Sequence, residues 1–350
     1  MMQSEFFFRI SPDRVLEAVD SEGFETTGHC MALNALENRV YDVRLEDANP
    51  VVIKFYRPGR WPLEAILDEH RMLFALRDAE IPVCAPLVFE DGKTVHEIED
   101  IFYAIWPRTG GRSPDELTDD EVDVLGRLLA RIHNTGAATK IEHRPTLNSV
   151  AYPLASLELI EDRGFLPSSC ANAYRNVVEE IVDVFDERAR GIEQIPIHGD
   201  CHRGNLLRND EGWSFLDFDD MVVGPPVHDV WMLIPGRDVH AHRQRQRLIA
   251  AYEQFRAFDP RSLALIEPLR AFRFIFYAGW IAKRWDDPAF PDAFPHFGTE
   301  QYWQTETADL EEQRDLIVSG EALYEEGEGG PTGEEEAEGE LTNKDFFWDL

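Results

Sequence analysis

The residues best suited to chemistry lie in one short stretch, His198-Gly199-Asp200-Cys201-His202-Arg203-Gly204-Asn205, followed closely by Leu216-Asp217-Phe218-Asp219-Asp220. Asp200 and Asn205 share a loop with apolar flanks, at a spacing that lets both side chains face one bound group. From Asn205 the chain reads as a hairpin. Leu206-Leu207-Arg208 runs out, Asn209-Asp210-Glu211-Gly212 turns, and Trp213-Ser214-Phe215-Leu216 returns. The return brings Asp217 beside Asn205. A carboxylate at Asp200 can accept a hydroxyl proton, while the Asn205 amide and the Asp217 carboxylate offer hard oxygens to Mg²⁺. Phosphoryl transfer from ATP needs these parts, an oriented nucleophile and metal that neutralises the phosphate charge. A His-Gly-Asp tripeptide alone occurs by chance. The joint spacing of Asp200, Asn205, hairpin and Asp217 carries the reading.

Upstream elements must position these groups. Ser11-Pro12 opens a helix with Val15, Leu16 and Val19 on one face. Strands are predicted over 28–33, 39–45 and 51–56, with the hairpin-sized loop Asn34-Ala35-Leu36-Glu37-Asn38 between the first two. In Val51-Val52-Ile53-Lys54-Phe55-Tyr56 a lysine interrupts an apolar β-rich run. An outward-facing lysine on a half-exposed strand would look the same. The helical spacing that follows over 63–77 carries Glu69, however, and a strand lysine paired to a helix carboxylate while holding phosphates is the kinase arrangement. Glu64 and Asp68 compete with Glu69 for that pairing. Further strands are expected over 87–90, 94–98 and 101–106, the last running into Pro107-Arg108-Thr109-Gly110-Gly111. Backbone groups of residues 105–108 could meet adenine there, and the lobe boundary is placed at that point. From Thr118 the chain turns helical, with Thr118 and Glu121 as a capping box. His133, one step past the apolar stripe, reads as a packing or capping histidine at the helix end. A long helix is expected over 171–190, and helices again over 243–257, 260–285 and 301–317.

The segments Asn34-Ala35-Leu36-Glu37-Asn38-Arg39, Val52-Ile53-Lys54-Phe55-Tyr56-Arg57-Pro58, His198-Gly199-Asp200-Cys201-His202, Ile266-Glu267-Pro268-Leu269-Arg270 and Trp285-Asp286-Asp287-Pro288 resemble the stress response kinase A (YihE/RdoA) family. That family lies within the aminoglycoside phosphotransferase-like kinases, and the resemblance covers roughly residues 4 to 318. It implies an α+β, bilobal, protein-kinase-like fold with an antiparallel N-lobe sheet and a mainly helical C-lobe. The implied limits are an ATP-binding lobe over 1–106, a catalytic lobe over 107–318 and an acidic tail over 319–350. The implied activity is that of a cytoplasmic, monomeric bacterial Ser/Thr protein kinase in stress survival, using ATP and Mg²⁺. Asp200 would be the catalytic proton acceptor and Asp217 a second catalytic residue. Asn205 and Asp217 would bind Mg²⁺, and Lys54, with Glu69, would hold phosphate. Ala35 occupies the loop over ATP where relatives carry a serine, which leaves only backbone contacts there. Asp229, in Val227-His228-Asp229-Val230, would hydrogen-bond the backbone of the catalytic loop. Where protein kinases of the usual kind have Asp-Phe-Gly this chain has Asp217-Phe218-Asp219, so a movable phenylalanine switch is not expected. The runner-up is a small-molecule kinase acting on an aminoglycoside, choline or a sugar with the same catalytic groups.

At 350 residues the chain has length for about two domains. Its net charge of −33 argues against nucleic acid or an anionic membrane as partner, and would attract a cationic substrate. Residues 319–350 contribute −10 of that charge, and the Glu/Gly run within them has no large apolar residue to offset its ordering entropy, so disorder is expected. Cys30, Cys84, Cys170 and Cys201 show no metal-type spacing, and Cys201 reads as a packed thiol. No apolar run is long enough to span a bilayer.

Overall fold

The computed structural model describes residues 7, 10–33, 35 and 37–320. In chain order these form α1 (Pro12–Asp20), β1 (Thr26–Leu33), β2 (Arg39–Leu45), β3 (Val51–Phe55), α2 (Leu63–Asp78), β4 (His96–Ile98) and β5 (Ile101–Pro107). Next come α3 (Asp119–Ala138), α4 (Ala155–Asp162), α5 (Ala171–Arg188), β6 (Ile195–Ile197), β7 (Leu206–Asn209), β8 (Gly212–Phe215) and β9 (Val222–Gly224). The C-terminal part is helical: α6 (Val227–Leu233), α7 (Val239–Tyr252), α8 (Ile266–Arg284), α9 (Ala289–Ala293) and α10 (Glu300–Ser319). The fold is thus α+β, with an antiparallel N-terminal sheet and a helical C-terminal part. The acidic tail, from residue 321 onward, lies outside the described residues.

The chain divides into two compact units, each assembled from separate stretches. The first comprises Met1–Asp115, Asn134–Arg144 and Asn205–Met221. Its sheet is ordered β1-β2-β3-β5-β4 with antiparallel neighbours. Side chains alternate across a strand, and β3 uses the alternation fully. Val51, Ile53 and Phe55 join Val43, Ile101, Tyr103 and Ile105 in a core closed by Val15 and Val19 of α1. The Ser11 hydroxyl oxygen caps α1 by accepting from the Arg14 backbone N–H. The opposite face carries Lys54 and, just past the strand, Tyr56, which packs with Ala104, Trp106 and Ile66 of α2. Register sets Lys54 between Val40 and Ala104, and small Ala104 leaves room for the longer side chain. The stretch 87–90, expected as a strand, is irregular. Leu87 N–H donates to Ile105 O at 2.7 Å, but Phe89 N–H turns back to Lys93 O at 2.8 Å. Pro86 offers no N–H and Asp91-Gly92 turns immediately afterwards, so the ladder cannot extend.

Hairpin β7–β8 forms in the register read from the sequence, Leu206 opposite Phe215 and Asn209 opposite Gly212. The Asn209 side-chain oxygen accepts from Glu211 and Gly212 N–H at 2.9 and 3.1 Å, an Asx closure that fixes the turn.

The second unit comprises Glu116–His133, Pro145–Gly204 and Val222–Leu350. The Glu121 carboxylate accepts from Thr118 N–H and hydroxyl, both at 2.8 Å, the reach-back half of the capping box. Helix α3 continues to Ala138 rather than ending at His133, which is buried within it. Helix α8 buries Phe272, Ile275, Ala278 and Ile281 and crosses α4 closely at Gly279, where a Cβ would stand 2.6 Å from Ser156. A short antiparallel pair, β6 with β9, sets Ile197 opposite Val222. Among the described residues no helix is long and apolar enough to cross a membrane.

Candidate active site

In the second unit, β6 delivers the chain into His198-Gly199-Asp200. Gly199 adopts φ 82°, a left-handed value that glycine reaches without a Cβ penalty. The turn is held from below by Asp229 at the start of α6. One oxygen of Asp229 accepts from His198 N–H at 2.8 Å and the other from Gly199 N–H at 3.0 Å. His133 Nε2 donates to the same carboxylate at 3.0 Å while its Nδ1 accepts from the Tyr252 hydroxyl at 2.9 Å. His228 Nε2 donates to Gly199 O at 3.0 Å. Asp229 and His133 are wholly buried. Burial works to raise the Asp229 pKa, and the His133 hydrogen bond together with the pull of His133, His198 and His228 outweighs it, holding the carboxyl below its ordinary value. The packing histidine and the loop-bracing aspartate of the sequence reading are thus one assembly.

Asp200 emerges from this brace beside two cation-capable groups. Arg273 of α8 approaches its Oδ1 to 2.8 Å and His202 Nε2 approaches Oδ2 to 3.4 Å. His202 Nδ1 accepts from Gly204 N–H at 3.0 Å, which leaves the proton on the nitrogen that faces Asp200. Burial would raise the Asp200 pKa, but Arg273, then His202 and His198, hold it well below the usual carboxylate range. Asp200 is therefore an oriented, ionised acceptor. Cys201 is buried and its thiol is pushed well above its ordinary pKa by that burial, so it is packed and unreactive.

In the first unit, Lys54 lies amid three carboxylates, 3.3 Å from Asp217 Oδ1, 3.7 Å from Asp219 Oδ1 and 3.9 Å from Glu69 Oε1. Its ammonium also stands 5.1 Å from the Trp106 ring centroid. Burial works to lower the Lys54 pKa, and Asp217, Asp219 and Glu69 together overturn that and raise it. The competing helix carboxylates separate cleanly. Glu64 is exposed. Asp68 is committed to Glu142 and His143 N–H, at 2.9 and 2.7 Å. Glu69 is buried and takes the pairing. Burial, with Asp219 and Asp217 nearby, pushes the Glu69 carboxyl up to about 7, against the pull of Lys54 and of Arg144, whose guanidinium lies 2.9 Å away.

Asn205 and Asp217 leave the open end of one hairpin together, tied by Leu216 N–H donating to Asn205 O at 2.9 Å. Asp217 adopts φ 53°, uncommon for a residue other than glycine, and its side chain is 55% exposed. An amide oxygen and an outward carboxylate are a donor set that suits Mg²⁺, which takes one or two protein ligands and completes its shell with phosphate and water. Among the described residues no cluster of three or more His, Cys, Asp or Glu side chains competes as a metal site. Ala35 is half-buried in the β1–β2 connection, and both its neighbours lie outside the described residues.

Several residues that shape the site were given no role in the sequence reading. Asp219 accepts from Arg60 at 2.5 Å and from the Asn38 amide at 2.9 Å. Burial works to raise its pKa, and Arg60, Lys54 and Arg144 outweigh it, leaving the carboxyl lowered. Arg60, Arg144 and Arg273 each come from a stretch with no pattern that marks it.

A family model described as "Phosphotransferase enzyme family" matches residues 30–266. Stress response kinase A of Escherichia coli (strain K12) is 38% identical over 319 residues, covering 91% of this chain and 97% of that protein. Serine/threonine protein kinase RdoA of Salmonella typhimurium (strain LT2) is 36% identical over the same length and coverage. Among solved structures, an amicoumacin kinase in complex with AMP-PNP, Ca²⁺ and Ami aligns with TM-score 0.67 at 19% identity, covering 89% of this chain and 95% of that one. A spectinomycin phosphotransferase aligns with TM-score 0.61 at 15% identity, covering 89% and 98%.

Proposed function

Because the chain belongs to the phosphotransferase enzyme family, among the stress response kinases, we propose that it is an ATP-dependent Ser/Thr protein kinase acting in bacterial stress survival. That it is a kinase of this family follows from the relatives; the protein acceptor and the residue roles are our reading. In that reading Asp200 orients a Ser or Thr hydroxyl and takes its proton as the oxygen bonds to the γ-phosphorus. The bond from γ-phosphorus to the β-bridging oxygen breaks, and ADP leaves with that electron pair. Lys54, steadied by Glu69, binds the α- and β-phosphates. The loop around Ala35 covers the phosphates with backbone N–H groups. Asn205 and Asp217 hold Mg²⁺, which when bound neutralises charge on the phosphate oxygens. We further place the protein in the cytoplasm as a monomer.

The observation that carries this reading is the placement of Lys54 within 3.9 Å of Glu69 and 3.3 Å of Asp217. Strand lysine, helix carboxylate and metal-loop carboxylate then meet in the arrangement that phosphoryl transfer uses. The protein acceptor is supported by the relatives named as stress response and serine/threonine protein kinases. The test incubates the purified protein with γ-labelled ATP and Mg²⁺, once with lysate freed of small molecules and once with the small-molecule pool. We expect label on protein Ser or Thr. Label confined to soluble alcohols would replace this reading with a small-molecule kinase.

A further inference from the structure

Arg144 does more in the first unit than neutralise a carboxylate. Its side chain is fully buried. Its guanidinium spends its donors on three separate groups. Nε donates to the Ala65 carbonyl at 2.8 Å, one terminal nitrogen to Glu69 Oε2 at 2.9 Å, and the other to the Asp219 carbonyl at 2.5 Å. The plane rests 4.6 Å from the Trp61 ring centroid. Ala65 and Glu69 are one turn apart on the same face of α2, so the helix is gripped at two levels. The third bond holds the backbone two residues beyond Asp217.

We propose that Arg144 is a positioning residue for phosphoryl transfer: it ties α2 to the Asp217-Phe218-Asp219 segment, so that the Lys54–Glu69 pair and the Asp217 carboxylate are set together. This rests on the phosphotransfer reading above. Protein kinases of the switched kind assemble the lysine–glutamate pair by moving the helix that bears the glutamate. Here an outward movement of α2 would break the Arg144 bonds to the Ala65 carbonyl and the Glu69 carboxylate, leaving a buried guanidinium and a buried carboxylate short of partners, a penalty above that of losing one exposed bond. The first unit therefore keeps its lysine–glutamate pair formed without an ordering event. Asp219 completes the tie from the other side, through Arg60 and Asn38. Lysine could not substitute for Arg144, because a single ammonium on a flexible stem cannot reach three acceptors spread around a planar fork.

The test compares wild type with Arg144→Met, Arg144→Lys and Glu69→Gln, and with the double variant Arg144→Met/Glu69→Gln. Binding of a fluorescent ATP analogue with Mg²⁺, and kcat and KM for ATP, are read for each; circular dichroism reports folding. Groups that orient directly acting residues are worth on the order of 10–100-fold. We expect Arg144→Met to weaken nucleotide binding and lower kcat by that order. Arg144→Lys should fail to restore either, and the double variant should lose less than the sum of the two single losses, since both remove the Arg144–Glu69 contact. A folded Arg144→Met with binding and kcat within about twofold of wild type, or fully additive losses in the double variant, overturns the inference. If Arg144→Met does not fold, Arg144→Lys decides: wild-type-like constants in that variant refute the three-way tie, and losses of the expected order support it. A wild type that binds no nucleotide would instead defeat the phosphotransfer reading itself.

Discussion

Replacing Asp229 by alanine removes one buried carboxylate on which three donors converge: His198 N–H at 2.8 Å, Gly199 N–H at 3.0 Å and His133 Nε2 at 3.0 Å. No water can stand in without entering a site where both side chains of the His133–Asp229 pair are fully buried. A hydrogen bond to a charged group contributes ~1.5–3 kcal/mol, so three lost together come to ~4.5–9 kcal/mol. That is comparable to the whole stability of a domain, ~5–15 kcal/mol. Asp229→Ala should therefore be largely unfolded or melt at far lower urea. Asp229→Asn keeps the shape and one acceptor oxygen. With that oxygen facing His198 and His133, its NH₂ group must meet the Gly199 N–H, so one bond is exchanged for a donor–donor conflict costing ~1–3 kcal/mol. This variant should fold, with a lower urea midpoint at an unchanged m-value. Its kcat should drop because Gly199 leads directly into Asp200. Urea melts followed by tryptophan fluorescence measure the first effect and labelled-ATP turnover the second. An Asp229→Ala variant within 1 kcal/mol of wild type would refute the idea that this carboxylate carries the turn.

Two further predictions concern pH. Burial alone would push Asp200 up, and Arg273 is the largest of the groups holding it down. Arg273→Met should therefore move the acid limb of the kcat/KM profile to higher pH by about 1–3 units; superimposable profiles would contradict the assignment. His70, hydrogen-bonded to the Tyr56 hydroxyl and Thr94, is pushed by burial down to about 3. Between the unfolded value of ~6.5 and that folded value only the unfolded chain takes up the proton, so stability falls as pH falls, by up to ~1.4 kcal/mol per pH unit. His70→Asn should flatten the pH dependence of the urea midpoint in that window, and an unaltered slope would show that His70 titrates normally.

The chemistry-bearing loop was legible because its signals are local. The hairpin register follows from Asn209 and Gly212 at the turn and from apolar residues on its two arms, and it returns Asp217 to Asn205 as expected. Lys54 was legible because a charged residue on a β-rich strand contradicts its neighbours, and such contradictions mark sites. Glu69 could be separated from Glu64 and Asp68 only by the structure. All three fall within the first two turns of α2, and what divides them is burial and the contacts of Arg144, Glu142 and His143, all distant in sequence. Arg60, Arg144 and Arg273 were illegible for the same reason. An arginine that braces a carboxylate through tertiary contact has no periodicity and no spacing of its own. The strand expected at 87–90 does not form: its apolar composition suits a strand, but Pro86 and the Asp91-Gly92 turn leave too few ladder donors.

The most direct test of the account is turnover of γ-labelled ATP with Mg²⁺ by wild type, Asp200→Asn and Asp217→Ala, each shown to be folded. The account predicts transfer by wild type and a loss of several decades in both variants, on the order of 10²–10⁴-fold for removal of a group that acts on the proton or on developing charge. Turnover by either variant within about tenfold of wild type would contradict it, since neither carboxylate could then hold the role given to it.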